Sequence, residues 1–360
     1  MNNTNIEWTD LSWNPFSGCK KVSPGCKNCY AETIADKRFG GQAAYPNGFD
    51  LTLRPEKLGE ITPRQAGKKI FVNSMSDLFL EEVPTDYLRS VCDVMMSAPQ
   101  HRFQILTKRH ERMKELLSSP MFRDVAMASH IWWGVSAEDR KYGLPRIETL
   151  KAAPVKNRFI SFEPLLEDMG DVDLDGIGWI IIGGESGPGA RPFHLEWAES
   201  LLEQGRRDRV PVFVKQLGAH PYYEGEPFDK AAKDPKGHQM FAWPIHLQVR
   251  EFPASMHVVP DLVKIAPAPK LNNVTPFRVI SKPAPEDDFE QGFLPEPPLP
   301  GEEPVNLHIT ELARVQDWLT RISNVEPSHS ALGCIAAAAR SSLAGLMLYM
   351  FPPDADEKIS

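Results

Sequence analysis

The sequence lacks two features that would point to common protein classes, an excess of positive charge and an apolar leader. Its 40 lysines and arginines are outnumbered by 48 aspartates and glutamates, which gives the 360 residues a net charge of −8. This balance excludes the strongly basic footprint by which proteins grip long nucleic acids. The first residues, from Asn2 to Asn5, are polar and offer no cleavable apolar segment, so we expect a cytoplasmic protein rather than a secreted one.

Cysteine is also scarce, yet its distribution is uneven. Three of the five cysteines, Cys19, Cys26 and Cys29, lie within eleven residues in a C-x6-C-x2-C pattern. Thiols this close in a cytosolic protein indicate metal binding rather than disulfide bonds. Soft thiolates select zinc or iron–sulfur clusters. The next candidate ligands along the chain are Cys92 and His101, more than fifty residues away.

The number of thiols separates the alternatives. A structural zinc site takes four protein ligands, whereas three cysteines on a 4Fe–4S cluster leave one iron open for an exogenous ligand. The sequence therefore favours an iron–sulfur cluster over a zinc site or a reactive thiol cluster. A helix predicted over Ala31–Arg38 follows at once and stops at Gly40, which places the cluster loop between the first strand and the first helix.

The first 250 residues repeat a pattern of a short apolar run, a polar turn and an amphipathic helix. The predicted strands are Trp8–Trp13, Ile70–Asn73, Phe103–Leu106, Ile131–Val135, Arg158–Ser161, Trp179–Ile182 and Val212–Val214. Strands that alternate with helices indicate βαβ units and a parallel sheet, either doubly wound or closed toward a barrel. A helix after the fourth of these strands is expected to begin at Ser136, a suitable N-cap.

Polar residues follow the strands at corresponding positions. They are Asp77, Lys108, Glu138, Glu163, Glu185 and Lys215. In a barrel all such positions face one end, where active sites of this fold lie, while a doubly wound sheet collects only some of them at its switch point. We therefore predict an α/β fold with a (β/α) barrel, full or partial and TIM-like, over residues 1–250. Lys108 and Lys215 are candidates to bind an anionic substrate or donate a hydrogen bond, and Glu163 is a candidate acid or base.

The composition changes after residue 250. Residues 251–304 hold 12 of the 33 prolines, and residues 251–360 hold 15 acidic against 8 basic residues. Proline at this density cannot sustain helices or central strands, so we predict an acidic Pro-rich linker over residues 251–304. Residues 305–360 are predicted to form a helical segment with helices over Glu311–Ile322 and Ser330–Met350. The second is very apolar, but Arg340 at its centre is costly in lipid, so we expect a buried helix and no membrane contact.

Several stretches of the sequence resemble a known family. The opening IEWTDLSWNPFSGCKKVSPGCKNCYAE and the later NSMSDLF, ILTKR, WWGVS, ISFEPLL and GGESGPGARP resemble the three-Cys-motif proteins of phages and bacteria, whose function is unknown. The resemblance covers residues 5–253. That family is similar to radical S-adenosylmethionine (SAM) enzymes, which implies a barrel, a 4Fe–4S cluster on Cys19, Cys26 and Cys29, and SAM chelated by the open iron. The commonest spacing in those enzymes is C-x3-C-x2-C with an aromatic before the last cysteine, whereas here the first gap is six and Tyr30 follows.

The resemblance also implies roles for other residues. In radical-SAM enzymes the loop after the second strand contacts the amino group of SAM, and Ser74, Ser76 and Asp77 occupy that place here. Further cofactor-binding candidates are Tyr30, Gly183, Gly184, Glu185 and Arg191, with Glu185 expected on ribose hydroxyls and Arg191 on a carboxylate or phosphate. The alternative is that the GGESGPGARP loop is only a tight turn from strand to helix. His194 after this loop is expected to cap a helix rather than to bind metal.

Two functions from different classes follow. The first is a radical-SAM-type enzyme that cleaves SAM reductively, receives electrons from a reductant such as flavodoxin or ferredoxin, and modifies a nucleotide, a nucleic acid or a peptide. The second is a non-catalytic nucleic-acid-binding or repair-associated protein with a structural iron–sulfur or zinc site. An adaptor built on a barrel would fit the acidic tail but leaves the polar strand ends unexplained.

Overall fold

The computed structural model describes residues 2–229 and 234–258. Its strands are, in chain order, β1 (Asn2–Asn3), β2 (Leu11–Trp13), β3 (Phe16–Ser17), β4 (Thr52–Leu53), β5 (Lys69–Val72), β6 (Arg102–Thr107), β7 (Ile131–Ser136), β8 (Asn157–Phe162), β9 (Trp179–Gly183), β10 (Phe193–His194), β11 (Val212–Gln216), β12 (Pro221–Tyr223) and β13 (Glu226–Pro227). The α-helices are α1 (Tyr30–Glu32), α2 (Thr85–Met96), α3 (His110–Ser118), α4 (Arg123–Ala126), α5 (Arg140–Ala152) and α6 (Leu195–Asp208). A π-helix, Thr33–Arg38, continues α1, and short 3-10 turns occur at Pro24–Cys26, Pro55–Glu60, Met240–Ala242, Ile245–Leu247 and Ala254–Met256.

The main sheet contains eight strands in the order β1-β2-β5-β6-β7-β8-β9-β11. The pairs from β2 to β11 are all parallel, and only β1 runs antiparallel at the edge. Because the spatial order follows the chain order without reversal, the sheet has no topological switch point and is not doubly wound. No pairing in the described part of the chain joins β11 to β2. The predicted α/β class is confirmed, and the barrel is a partial one.

The two faces of the curled sheet are built from alternating residues. On β5, Ile70 and Val72 belong to the large core shared with the helices, while Phe71 between them points to the other face. The same alternation holds on β11, where Phe213 faces away from the helices. Successive side chains of a strand point to opposite faces, so the helices cover one face, which is convex, and a separate cluster fills the concave face.

Aromatic side chains form that concave cluster. Trp8, Phe71, Phe159, Trp179 and Phe213 are all buried there. The ring centroids of Trp8 and Phe71 lie 4.7 Å apart, and those of Phe159 and Trp179 lie 5.8 Å apart. Aromatic pairs in such tilted arrangements are favourable beyond their buried area. The cluster closes the concave face toward the amino ends of the strands.

Most of the predicted elements are present, with three local differences. The first strand is shorter than predicted, because Trp8 leaves the strand and enters the concave cluster. The predicted N-cap Ser136 is wrong: β7 continues through this buried residue, and Asp139 caps α5 by accepting a 2.7 Å hydrogen bond from the Tyr142 amide. His194 occupies the N-cap position of α6 without a side-chain capping bond, and its ring instead contacts Trp197.

The predictions for the C-terminal third lie almost wholly outside the described residues. Only residues 251–258 of the predicted linker are described, and the predicted helices over Glu311–Ile322 and Ser330–Met350 are not. Within the ranges 2–229 and 234–258, every helix is too short or too polar to cross a membrane.

Candidate functional site

The carboxyl ends of the parallel strands meet at one end of the partial barrel. Because all seven strands from β2 to β11 point the same way, the residues that follow them come to this end together. Five of the six polar residues predicted to share one end of a barrel follow their strands: Asp77, Lys108, Glu138, Glu163 and Glu185. Lys215 was predicted to follow a strand that ends at Val214, but β11 extends to Gln216 and Lys215 lies within its carboxyl-terminal end. We refer to this end as the mouth of the barrel.

The cysteine loop enters the mouth through a glycine. Gly18 follows β3, forms an isolated parallel bridge with Ser76 and donates its amide to the Met75 carbonyl oxygen at 3.3 Å. Its φ of +97° favours glycine, and a Cβ here would lie 2.3 Å from the Asp50 carbonyl oxygen. The pairing of Gly18 with Met75 and Ser76 places Cys19, the next residue, beside the loop that follows β5.

Cys19 is surrounded by charged groups. Arg109 Nη1 lies 3.4 Å from the Cys19 Sγ, and Asp77 Oδ2 lies 3.1 Å from the same guanidinium nitrogen. Burial, followed by the Asp77 carboxylate, raises the pKa of the Cys19 thiol to about 12, against the opposing effect of Arg109. A metal that binds the thiolate must therefore displace a proton from this sulfur.

A buried carboxylate holds the middle of the cysteine loop. Glu138 accepts a 3.3 Å hydrogen bond from the Gly25 amide on one oxygen and a 2.5 Å bond from Arg146 Nη1 on the other. Both side chains of this ion pair are buried. Burial alone would raise the pKa of Glu138, but the charges of Lys108 and Arg146 outweigh it and hold the pKa below its usual range. Glu138 is thus an ionised anchor for the turn that precedes Cys26.

A second carboxylate holds the other side of the loop. Glu185 accepts bonds of 2.9 Å from the Asn28 side-chain amide and from Nε of Arg191, whose Nη2 reaches the other oxygen at 2.5 Å. Arg191 Nη1 also donates to the Pro24 carbonyl oxygen at 3.0 Å. Burial would raise the pKa of Glu185, yet hydrogen bonds from Arg191 and Asn28 lower it. The two residues predicted to contact a ligand are here engaged with each other and with the cysteine loop.

The first two glycines of the GGESGPGARP loop have packing roles in the structure. A Cβ on Gly184 would lie 2.4 Å from the Leu217 carbonyl oxygen, and one on Gly183 would lie 3.3 Å from the Glu163 carboxyl carbon. Gly183 therefore leaves room for the Glu163 side chain, and Gly184 allows β9 and the residues after β11 to approach closely.

The residues predicted to contact the SAM amino group form the loop after β5. Asp77 accepts four bonds: from Thr107 Oγ1 at 2.6 Å, the Phe79 amide at 3.0 Å, the Lys108 amide at 3.0 Å and Arg109 Nη1 at 3.1 Å. With four donors on its two oxygens, this carboxylate connects the loop after β5 to the end of β6 and the start of α3.

The two serines of this loop are also bonded within the protein. Ser76 Oγ donates to the Phe16 carbonyl oxygen at 3.1 Å, and Ser74 Oγ lies 3.3 Å from Asn14 Oδ1. The Tyr30 hydroxyl donates to the Ser74 carbonyl oxygen, while 53% of the Tyr30 residue is exposed next to Cys29. The loop after β5, the cysteine loop and Tyr30 therefore form one connected structure.

Glu163 and Lys215 form an ion pair on the concave side of the mouth. Lys215 Nζ donates to Glu163 Oε1 at 2.5 Å, and the two side chains are 17% and 19% exposed. Glu163 lies against Gly183, two residues beyond Ile181 of the concave cluster on β9, and this places the pair on the concave side. Gln216 Nε2 lies 3.5 Å from the same carboxylate oxygen. The pair is thus partly buried at the carboxyl ends of β8 and β11.

The structure separates the three loop cysteines from the other candidate ligands. Cys92 is buried in the helix-side core on α2, and His101 precedes β6 at the opposite end of the sheet, where its Nδ1 accepts from the Lys68 amide at 3.1 Å. Cys19, Cys26 and Cys29 are free thiols of intermediate exposure. Among the residues that the structure describes, no three His, Cys, Asp or Glu side chains converge on one metal position.

The polar residues at the strand ends were predicted from the sequence, but several of their hydrogen-bond partners were not. Arg109, Asn28 and Arg146 contact the cysteine loop or its anchors and were not predicted as site residues. Arg109 lies in the basic stretch KRHERMK. Such a stretch can indicate phosphate contacts, but it is also typical of a solvated helix face. Asn28 lay inside the cysteine motif itself and was the easier of these residues to find.

The fold and the site define a partial α/β barrel with a three-cysteine loop anchored at its carboxyl end. The chain belongs to the DUF5131 family, a family of proteins of unknown function, whose model matches residues 3–245. No curated protein sequence matches it.

Two solved structures of spore photoproduct lyase are similar to the chain. One, a double mutant with bound AdoMet and dinucleoside spore photoproduct, has 11% identity and a TM-score of 0.33 and covers 50% of this chain and 57% of that chain. The other, complexed with dinucleoside spore photoproduct, has 11% identity and a TM-score of 0.29 and covers 53% of this chain and 59% of that one. The match thus spans less than two thirds of either protein.

Proposed function

We propose that this protein is an iron–sulfur enzyme of the radical-SAM type, with a 4Fe–4S cluster on Cys19, Cys26 and Cys29. One observation carries the proposal: three thiols lie on a single loop that buried charged residues hold at the mouth of a partial barrel. Active sites of such barrels lie at this end. We also propose that the chain is a three-Cys-motif protein, and the support for this is its sequence motifs alone.

The donor chemistry of the loop fits such a cluster. Thiolates select iron–sulfur clusters or zinc, and a closed structural zinc site would need a fourth ligand. Among residues 2–229 and 234–258, the candidates Cys92 and His101 do not supply it, because Cys92 is buried in the helix-side core and His101 lies at the other end of the sheet. A three-thiol set therefore suits a cluster with an open coordination position.

The anchors of the loop support a functional role. Buried ion pairs contribute little net stability, because desolvation offsets their attraction. Here the pairs Glu138–Arg146 and Glu185–Arg191 both direct bonds to the cysteine loop. Such pairs fix the position of a loop more than they stabilise a fold, and second-shell contacts of this kind orient metal ligands.

SAM is the proposed cofactor, and the cluster would supply the electron for its reductive cleavage when both are bound. Tyr30, a half-exposed residue next to Cys29, is a proposed contact of the cofactor. Ser74, Ser76 and Asp77 lie on the loop after β5, which pairs with Gly18 beside the first cysteine, and they are the proposed contacts of the SAM amino group. A flavodoxin or ferredoxin is the proposed source of electrons.

The Glu163–Lys215 pair is the proposed catalytic group of the chain, together with Lys108. Lys215 donates to Glu163 in the free protein, so a polar substrate on the concave face can take over either partner and hold or move a proton there. The proposed role of Lys108 and Lys215 is to bind an anionic substrate, which Lys215 would do by exchanging Glu163 for it. We propose a nucleotide or a nucleic acid segment short enough to enter the mouth.

The test is anaerobic purification and reconstitution of the full chain, with iron, sulfide and zinc counted. We expect about four irons per chain and reduction-dependent cleavage of SAM. Cys26→Ala should lose iron and cleavage together, while the matched control Cys92→Ala should keep both, since that thiol is buried in the core.

Other results would decide against the proposal. Colourless protein with one zinc would contradict the cluster, and loss of iron in Cys92→Ala would contradict the ligand set. Iron-containing protein that leaves SAM intact under reduction would favour the non-catalytic, nucleic-acid-binding or repair-associated alternative.

A further inference from the structure

Arg109 directs its guanidinium from the start of α3 into the cysteine loop. Its Nη1 lies 3.4 Å from the Cys19 Sγ and 3.1 Å from Asp77 Oδ2. Its Nε donates to Glu81 Oε2 at 2.8 Å, and its Nη2 donates to the Lys20 carbonyl oxygen at 3.0 Å. One side chain thus contacts the sulfur of the first cysteine, the backbone of the next residue and two carboxylates.

This guanidinium has little freedom to move. The Arg109 side chain is only 4% exposed, and the Asp77 side chain facing it is 8% exposed. Asp77 is itself fixed by the hydroxyl of Thr107 at 2.6 Å and by two backbone amides. Arginine stays protonated under all ordinary conditions. The Arg109 guanidinium is therefore a permanent cation held 3.4 Å from the Cys19 Sγ, with Asp77 and Glu81 as its carboxylate partners.

We infer that Arg109 is a positioning residue that donates a hydrogen bond to the Cys19 sulfur and raises the reduction potential of the cluster. The inference rests on the proposed function, because it assumes that a cluster binds the three thiols. Reduction by an external one-electron donor adds negative charge to the cluster. A fixed cation and an N–H···S bond stabilise that added charge, and hydrogen bonds to the sulfurs are a known determinant of cluster potentials.

The fork of the guanidinium is needed as well as its charge. Nη1 bonds the sulfur while Nη2 bonds the Lys20 carbonyl oxygen, so the arginine spans two successive residues of the loop. A lysine ammonium is a point charge and cannot bridge both groups with the same geometry. Arg109→Lys should therefore keep part of the effect on the potential, and Arg109→Gln should lose nearly all of it.

The experiment is an EPR-monitored redox titration of anaerobically reconstituted full chain. For Arg109→Gln we expect the ratio of reduced to oxidised cluster, at a fixed applied potential, to fall roughly tenfold, which equals about 59 mV for a one-electron couple. Arg109→Lys should lie between this variant and the unmodified protein. The resonance Raman Fe–S(Cys) stretching bands should shift in the same order.

The matched control is Arg112→Gln. Arg112 lies on the same helix and donates to the Val83 carbonyl oxygen at 2.8 Å, but it makes no bond to the cysteine loop in the part of the chain that the structure describes. This variant should change stability without moving the potential. A shift in Arg112→Gln as large as that in Arg109→Gln would overturn the inference, as would an unchanged potential in Arg109→Gln.

The two proposals fail in distinguishable ways. If the unmodified protein binds no iron, the proposed function fails. If it binds iron and both Arg109 variants bind iron with the same potential, only the role of Arg109 fails. Loss of iron from both variants, with unfolding midpoints close to that of the unmodified protein, would assign Arg109 to cluster assembly and overturn the claim about the potential.

Discussion

The two ends of the concave face differ in chemistry although the same strands build both. Toward the amino ends lies the aromatic cluster around Trp179, whose ring contacts Trp8, Phe159 and Phe213. At the carboxyl ends lie charged groups and the cysteine loop, with Lys215 only two residues beyond Phe213 on β11. A single strand therefore supplies a packed aromatic ring at one end and an ion-paired lysine at the other.

By the usual division of barrel folds, the aromatic end contributes stability and the mouth carries the proposed chemistry. Burial does not divide the two ends sharply. The pair Glu138–Arg146 lies at the mouth, yet it is as inaccessible to solvent as the aromatic cluster. Substitutions at the aromatic end, at this pair and at the accessible Glu163–Lys215 pair should therefore have stepwise smaller effects on stability.

The largest loss is expected for Trp179→Ala. The ring is fully buried, and its Nε1 donates to the Glu251 carbonyl oxygen at 3.0 Å. Removing it should lower the free energy of unfolding by about 3–5 kcal/mol, the usual range for a buried tryptophan. Guanidinium denaturation measures the loss. Under the proposed function, the folded fraction of this variant should keep its iron. A variant that stays fully stable but loses iron would show that the aromatic end serves the cluster rather than stability.

Glu138→Gln should have an intermediate effect of about 1–3 kcal/mol, since it leaves the buried Arg146 without a charged partner. The effect should depend on pH. The folded pKa of Glu138 lies below the ordinary value of 4.5, so ionised Glu138 stabilises the fold above that pH, and this contribution is lost as the pH falls through the folded pKa.

Urea denaturation between pH 3 and 7 is the measurement. The difference between Glu138→Gln and the unmodified protein should be full at pH 7 and shrink below about pH 4.5. The control is Glu203→Gln, which removes the same charge from an exposed site on α6. A difference that is independent of pH would show that the carboxylate is not the stabilising form.

Lys215→Met should cost less stability than Glu138→Gln, because both partners of this pair are partly exposed whereas Glu138 and Arg146 are buried. Turnover in a SAM-dependent assay should instead fall about 100-fold or more if Lys215 holds or moves a proton. Lys114→Met, on an exposed part of α3, is the control and should leave turnover unchanged. Full turnover in Lys215→Met would remove this pair from the proposed chemistry.

Much of the fold was predictable from the sequence, because parallel βαβ units leave a strong local pattern. Strand runs such as Ile70–Asn73 and Trp179–Ile182 fall within a residue of β5 and β9. The choice between a doubly wound sheet and a barrel followed from the polar residues after the strands. The exit of Trp8 from the first strand was not predictable, because it is stabilised only by tertiary packing in the concave cluster.

The site was predictable in its location and less so in its contacts. The positions of Glu138, Glu185 and Arg191 at the mouth follow from their place after β7 and β9. Their partners do not, because Gly25, Pro24 and Asn28 are more than a hundred residues away in sequence. Two residues predicted to face a ligand are thus bonded to the cysteine loop in the structure.

The sequence by itself determined the class of fold, the end at which the polar residues gather and the three-thiol pattern, since each depends on spacing along the chain. Only the tertiary structure decided that the barrel is partial and that the charged residues at the mouth pair across distant strands. Arg109 shows the difference most clearly. Its neighbours in sequence predict a solvated helix face, but the parallel order of β5 and β6 brings it against Asp77 and the Cys19 sulfur, where burial fixes it.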